Sequence, residues 1–127
     1  MAGAFYNEHD PKMAAWIVEL IKDGLIAPGV VDTRSIKDIR PDELRKYTQL
    51  HFFAGIAVWS YAIRRTGWPD DRRVITGSCP CQPYSSAGKG KGFDDERHLW
   101  PEYFHIIHAL QGYPEFRAVT VIGEQVS

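Results

Sequence analysis

Apolar runs too short for helices alternate along the whole chain with stretches of helical periodicity. Phe5 and Tyr6 are followed by Asp10-Pro11, a helix start in which Asp caps free N–H groups and Pro loses nothing in the first turn. Met13, Trp16, Ile17, Leu20 and Ile21 then recur at helical spacing, and Gly24 is a stop that tolerates positive φ. Val30 and Val31 open a second strand, and residues 41–46 read as a short helical connector. A third strand is expected over 49–53, a helix over 58–66 ended by Gly67, and a fourth strand over 73–76. A helix then carries Leu99, Tyr103, Phe104, Ile106, Ile107 and Leu110, with Pro101 in its first turn, and a last strand covers 119–122. Strands that alternate with helices predict an α/β sheet of mostly parallel strands.

The chain has 127 residues, one domain's worth, and neither a repeat nor a linker divides it. Its 44% hydrophobic and 24% charged residues argue against wholesale disorder. With 15 Lys+Arg against 16 Asp+Glu, overall charge indicates neither a strongly basic nucleic-acid binder nor an acidic DNA mimic. No apolar run approaches the roughly 20 residues that span a bilayer, so no membrane partner is expected. The start lacks the basic and apolar regions of a signal peptide. Cys79 and Cys81 are too few and too close for a disulfide framework, which points to a reducing, cytoplasmic compartment.

Chemistry concentrates in four segments. Residues 77–95 form a long stretch rich in Gly, Ser, Pro and Lys, and long structureless loops in compact domains are usually functional or mobile. Within it, Cys79 and Cys81 follow a buried strand, where open α/β sheets bind their ligands. A thiolate there is a candidate nucleophile with Lys89, Lys91 and Arg97 nearby, and a buried small apolar residue is the equal alternative. Glu8 and Asp32 follow short apolar runs, where acids bind ribose or adenine but more commonly cap helices or face solvent. Phe53-Ala54-Gly55-Ile56-Ala57 is a small-residue turn that lets a ligand approach the backbone and a helix N-terminus, and is by itself a weak signal. Glu124 lies directly after the last strand, either at the sheet edge near Cys81 or in a solvated tail. Five histidines accompany the cysteine pair, but zinc sites space cysteines by two or more residues, so no metal is expected.

Together these pieces resemble DNA (cytosine-5) methyltransferases of phage and bacterial type. Pro80-Cys81-Gln82-Pro83-Tyr84-Ser85, Ala87-Gly88-Lys89 and then Asp95, Arg97, Leu99 and Trp100 resemble the family's catalytic loop, a long and specific motif. Phe53-Ala54-Gly55-Ile56 resembles its glycine turn, and Asn7-Glu8 with Asp10-Pro11 the segment whose acid holds the cofactor ribose. Asp32 with Arg34 and Ile36 resembles the segment whose acid meets the adenine, and Glu124-Gln125-Val126 the Glu-Asn-Val motif.

The resemblance implies a Rossmann-like S-adenosylmethionine-dependent methyltransferase fold and a reaction on DNA. It makes Cys81 the nucleophile that attacks C6 of a flipped-out cytosine, with Glu124 stabilising protonation at N3 and Gln82 helping. It assigns Glu8, Asp32, Phe53, Gly55, Ile56 and Pro80 to the cofactor, and Ser85, Lys89, Lys91 and Arg97 to DNA. The order of motifs departs from the family: both acids precede the glycine turn, as in a circular permutation. Handedness rules then place the helix after Gly55 on the opposite face of the sheet. Ala57 stands where the family usually has Gly. The family also continues beyond the Glu124 segment with a target-recognition domain and a closing helix. The expectation is a catalytic core that needs a second chain for DNA recognition. The alternative is a non-catalytic protein on a methyltransferase scaffold, such as a phage-borne inhibitor that binds a host protein.

Overall fold

The computed structural model describes residues 3–79 and 99–125. Five parallel strands form one sheet: β1 (Ala4–Asn7), β2 (Gly29–Asp32), β3 (Gln49–Phe52), β4 (Val74–Cys79) and β5 (Thr120–Gln125), in the spatial order β2-β1-β3-β4-β5. Three helices connect them: α1 (Pro11–Lys22), α2 (Val58–Arg65) and α3 (Trp100–Leu110). Two short 3-10 turns, at Ile36–Asp38 and Pro41–Leu44, lie in the link from β2 to β3.

Local chemistry explains most boundaries. The Asp10 carboxylate accepts from the Lys12 and Met13 N–H groups, and Pro11 opens α1, as the sequence predicts. Gly24 and Gly67 both take positive φ just beyond their helices. β3 ends one residue earlier than predicted because Phe53 has φ 52, which breaks the extended backbone. β4 and β5 run three residues past their predicted ends. Gly77, Ser78 and Cys79 pair with Gly123, Glu124 and Gln125, so ladder hydrogen bonds hold residues whose composition reads as loop. On α1, the predicted apolar stripe is only partly core: Ala14 and Ile17 are buried, whereas Met13 and Trp16 are 41% and 53% exposed.

The sheet is covered on both faces. Phe5, Leu50, Phe52 and Ile75 point to one face, where they pack with Ile36, Ile39, Leu44, Tyr103, Ile106, Leu110 and Phe116. Ala4 and Tyr6 point to the other, with Ile17 of α1, Ile26, Ala27 and Ala57. The Tyr6 hydroxyl donates to the Ala27 carbonyl at 2.6 Å and bonds the Ser60 hydroxyl of α2 at 3.0 Å. Burial pushes the Tyr6 phenol up to about 12, against the Ser60 bond, so it stays a neutral donor.

These contacts put α2 on the same face as α1, which corrects the expected opposite-face placement. The consequence is topological. α1 steps from β1 to its neighbour on one side, and α2 steps from β3 to its neighbour on the other side. Two crossovers on one face that step in opposite directions have opposite hands. The β2–β3 link and α3 step in α2's direction on the far face, so they share α1's hand. The β3–α2–β4 unit is thus the exception to the right-handed rule. Its turn has an unusual backbone to match: Phe53, Gly55 and Ala57 all have positive φ (52, 55 and 64°). Two of the three are not glycine, and each costs about 1–2 kcal/mol relative to a right-handed conformation.

Candidate functional site

The C-terminal ends of β1, β3, β4 and β5 open into a cavity of about 1190 Å³, somewhat larger than the roughly 300–1,000 Å³ usual for ligand pockets. At one end lie Glu8, the turn from Phe53 to Ala57, and Met13. At the other end lie Thr76, Ser78 and Glu124. Parallel register explains the grouping: Asn7 pairs with Phe52, Phe52 with Gly77, and Ser78 with Glu124. Residues just after or near those positions therefore share one edge of the sheet.

Glu8 ties the two strands that carry it and the turn. Its Oε1 accepts from the Gly55 N–H at 2.6 Å, and its Oε2 from the Asp10 N–H at 2.9 Å. Gly55 has nothing but the Phe53 carbonyl, at 4.0 Å, near the place a Cβ would occupy, so the space beside it belongs to the cavity. Ile56 is 56% exposed at the rim. Phe53 is half-buried and meets Tyr103 edge-on at 6.3 Å. Ala57 is buried in the same cluster as Tyr6, Ile17 and Ile26 and caps α2 in a left-handed conformation. That backbone is the one a glycine would favour.

Asp32 ends β2 as predicted, but it does not line the cavity. Its oxygens are engaged by Arg34: Oδ1 accepts from the backbone N–H at 2.8 Å and from Nε at 3.1 Å, and Oδ2 from Nε at 3.0 Å and Nη2 at 2.8 Å. Burial pushes the Asp32 carboxyl up, but the Arg34 bonds outweigh it and hold it below the usual carboxylate range. Ser35, Ile36 and Lys37 line the cavity instead.

Glu124 is an exposed residue of β5, which corrects its expected place in a tail or just after the last strand. The Ser78 hydroxyl donates to its Oε1 at 3.3 Å. Pro80, Cys81, Gln82, Ser85, Lys89, Lys91 and Arg97 lie outside the described residues.

Sequence reasoning missed the polar floor. His51 is buried, stacks on Tyr6 with centroids 5.1 Å apart, and bonds Thr76 Oγ1 at 2.6 Å and Gln49 Oε1 at 2.9 Å. Burial lowers its titration to about 3, so the ring is neutral. The detectable signal is Gln49 and His51 in a central parallel strand, where apolar residues are the rule. The Trp59 Nε1 is also buried without an acceptor among the described residues, and Trp59 lines the cavity.

Fold and site define the class: a Rossmann-like α/β domain with its cavity at the strand ends. The profile of the family described as C-5 cytosine-specific DNA methylase matches residues 53–116, just over half of the chain. The chain belongs to that family. Type II methyltransferase M.HgiCII of Herpetosiphon aurantiacus is 31% identical over 67 residues, covering 39% of this chain and 15% of that protein. Type II methyltransferase M.HgiBI and Type II methylase M.HgiEI of the same organism are each 44% identical over 39 residues, covering 30% of this chain and 9% of those proteins. The matched stretch thus spans 15% or less of each relative. No solved structure matches the chain significantly.

Proposed function

We propose that this chain is the catalytic core of a DNA cytosine-5 methyltransferase. In this reading a methyl group passes from S-adenosylmethionine to C5 of a cytosine, and a second chain supplies DNA recognition. The observation that carries the reading is a single cavity that joins the Glu8–Gly55 end to the Glu124 carboxylate. Methyl transfer needs the donor and the base within one enclosed space.

The residues present suit the cofactor. Glu8 offers carboxylate lone pairs to ribose hydroxyls, Gly55 leaves room for close approach, and Phe53 and Ile56 give apolar contact. When bound, S-adenosylmethionine supplies an electrophilic methyl group. Pro80 belongs to the cofactor side in this reading.

The chain's own residues do the rest. The Cys81 thiolate adds to C6 of an extruded cytosine, which places electron density on C5. Glu124 holds the proton at N3 that makes the ring accept this addition, and Gln82 assists. C5 gains the methyl and then loses its proton, and the C6–S bond breaks to return the thiolate. Ser85, Lys89, Lys91 and Arg97 contact DNA, with Lys89 and Lys91 near phosphates.

The test is incorporation of a labelled methyl group into duplex DNA by the full chain, supplied with its DNA-recognition chain. Incorporation at cytosine C5 that Cys81→Ser abolishes is the expected result. Equal incorporation by Cys81→Ser removes the nucleophile assignment.

A further inference from the structure

Glu124 stands at the rim of the cavity on the edge strand, where a glutamate side chain with nothing to hold it samples many rotamers. Strand geometry supplies a holder. Side chains alternate along β4, and Gly77 lies against Tyr103 of α3, so Ser78 points to the opposite face. Gly123 of β5 lies against Trp100 of α3, so Glu124 points away from α3 as well. The parallel register sets Ser78 beside Glu124, and both line the cavity. The Ser78 hydroxyl donates to the Glu124 Oε1 at 3.3 Å, and among the described residues it is the only side-chain donor that reaches this carboxylate. The distance is long for a hydroxyl and a carboxylate, as contacts at catalytic groups commonly are before substrate tightens them. A serine hydroxyl has one proton to give, and an ionised carboxylate accepts at both oxygens. The bond therefore engages Oε1 and leaves Oε2 for a second donor.

We propose that Ser78 is a positioning residue for Glu124: its hydroxyl anchors Oε1 and turns Oε2 toward the N3 proton of the extruded cytosine. This inference rests on the catalytic-core reading above. Ser78 makes and breaks no bond to the substrate. It acts before the chemistry by fixing one carboxylate orientation, so that the ordering is not left to the transition state. Thiolate addition at C6 depends on the N3 proton. A misoriented Glu124 therefore slows methyl transfer and leaves cofactor binding at the Glu8–Gly55 end of the cavity unchanged.

The experiment measures single-turnover methyl transfer to duplex DNA by the full chain, supplied with its DNA-recognition chain. Wild type, Ser78→Ala, Ser78→Thr, Glu124→Ala and the double variant of Ser78→Ala with Glu124→Ala are compared. Calorimetry with S-adenosylhomocysteine and thermal melts of each protein accompany the rates. Ser78→Ala is expected to lower the rate about tenfold, as loss of a hydrogen bond to a charged group does, with cofactor-product affinity within about twofold of wild type. Ser78→Thr keeps the hydroxyl and recovers the rate to within about threefold of wild type. With Glu124 removed, Ser78→Ala changes the rate no further, because residues that act as a unit are not additive. A similar loss in both backgrounds means that Ser78 acts elsewhere and overturns the inference, as does a wild-type rate in folded Ser78→Ala. The contact is also read without activity. By NMR, the side-chain carboxyl carbon resonance of Glu124, assigned by its absence in Glu124→Ala, moves in Ser78→Ala and returns in Ser78→Thr. An unmoved resonance removes the contact and the inference with it. No methyl transfer by wild type removes the catalytic-core reading and the positioning role together, while the resonance still decides whether the pair exists.

Discussion

Burial holds His51 neutral, and that sets how the fold responds to acid. Its folded value of about 3 lies below the roughly 6.5 of an unfolded chain. As pH falls below about 6.5, the unfolded state gains a proton that the folded state refuses. Stability is therefore lost from about pH 6.5 downward, by up to about 1.4 kcal/mol per pH unit. Denaturant melts at pH 7 and pH 5.5 should show this loss, and His51→Gln should flatten the slope between them. Equal slopes would mean that the ring takes up a proton in place. Gly55 gives a second prediction. A Cβ there meets open space, so Gly55→Ala costs only its left-handed backbone, about 1–2 kcal/mol. A loss well above 3 kcal/mol in denaturant melts would contradict the open space seen beside it. The polar pair Gln49 and His51 in a strand was legible in the sequence, but the partners of His51 were not. A lone histidine in a strand is neither core nor ligand until its neighbours Thr76 and Gln49 are known to face it.

At the scale of elements, α3 and the β4–β5 pair interlock. A Cβ on Gly77 would lie 2.6 Å from the Tyr103 ring, and one on Gly123 would lie 3.2 Å from Trp100. Tyr103 is fully buried and donates its hydroxyl to the Ile122 carbonyl at 3.0 Å, so it has nowhere to move. Gly77→Ala is therefore expected to cost about 2–3 kcal/mol or more by overpacking, read as a lower denaturation midpoint. An unchanged midpoint would mean that α3 shifts freely on the sheet. The same pairing explains a misjudged boundary. Gly77-Ser78-Cys79 has loop composition, yet glycine is needed there to seat an aromatic ring, and the register with β5 supplies the hydrogen bonds. The helix boundaries were legible because their causes are local: Asp10 and Pro11 at one end of α1, and positive-φ Gly24 at the other.

Across the molecule, the order of motifs in the chain differs from their order in space. The strands that end near Glu8 and Asp32 come first in sequence, yet they lie together on one side of β3, with β4 and β5 on the other. Glu8 and the glycine turn thus meet at the adjacent strands β1 and β3, whereas Asp32 lies one strand further out. The alternation of elements made the α/β class readable, whereas the meeting of Glu8 with Gly55 shows only in the parallel register of β1 and β3. The hand of the β3–α2–β4 unit was not, because it depends on three consecutive alternate left-handed residues, two of which are not glycine. That reversal keeps α2, the turn and Glu8 on the same side of the cavity as α1.

The account rests centrally on a working cofactor site at the Glu8–Gly55 junction. The most direct measurement is calorimetric titration of the full chain with S-adenosylmethionine, with Glu8→Gln as the control and thermal melts to confirm folding. The amide keeps one oxygen for the Gly55 N–H but loses the charge offered to ribose hydroxyls. The account predicts saturable binding of one equivalent to wild type, weakened about tenfold or more in folded Glu8→Gln. Absence of binding by the folded wild-type chain, or equal affinity in Glu8→Gln, would contradict it.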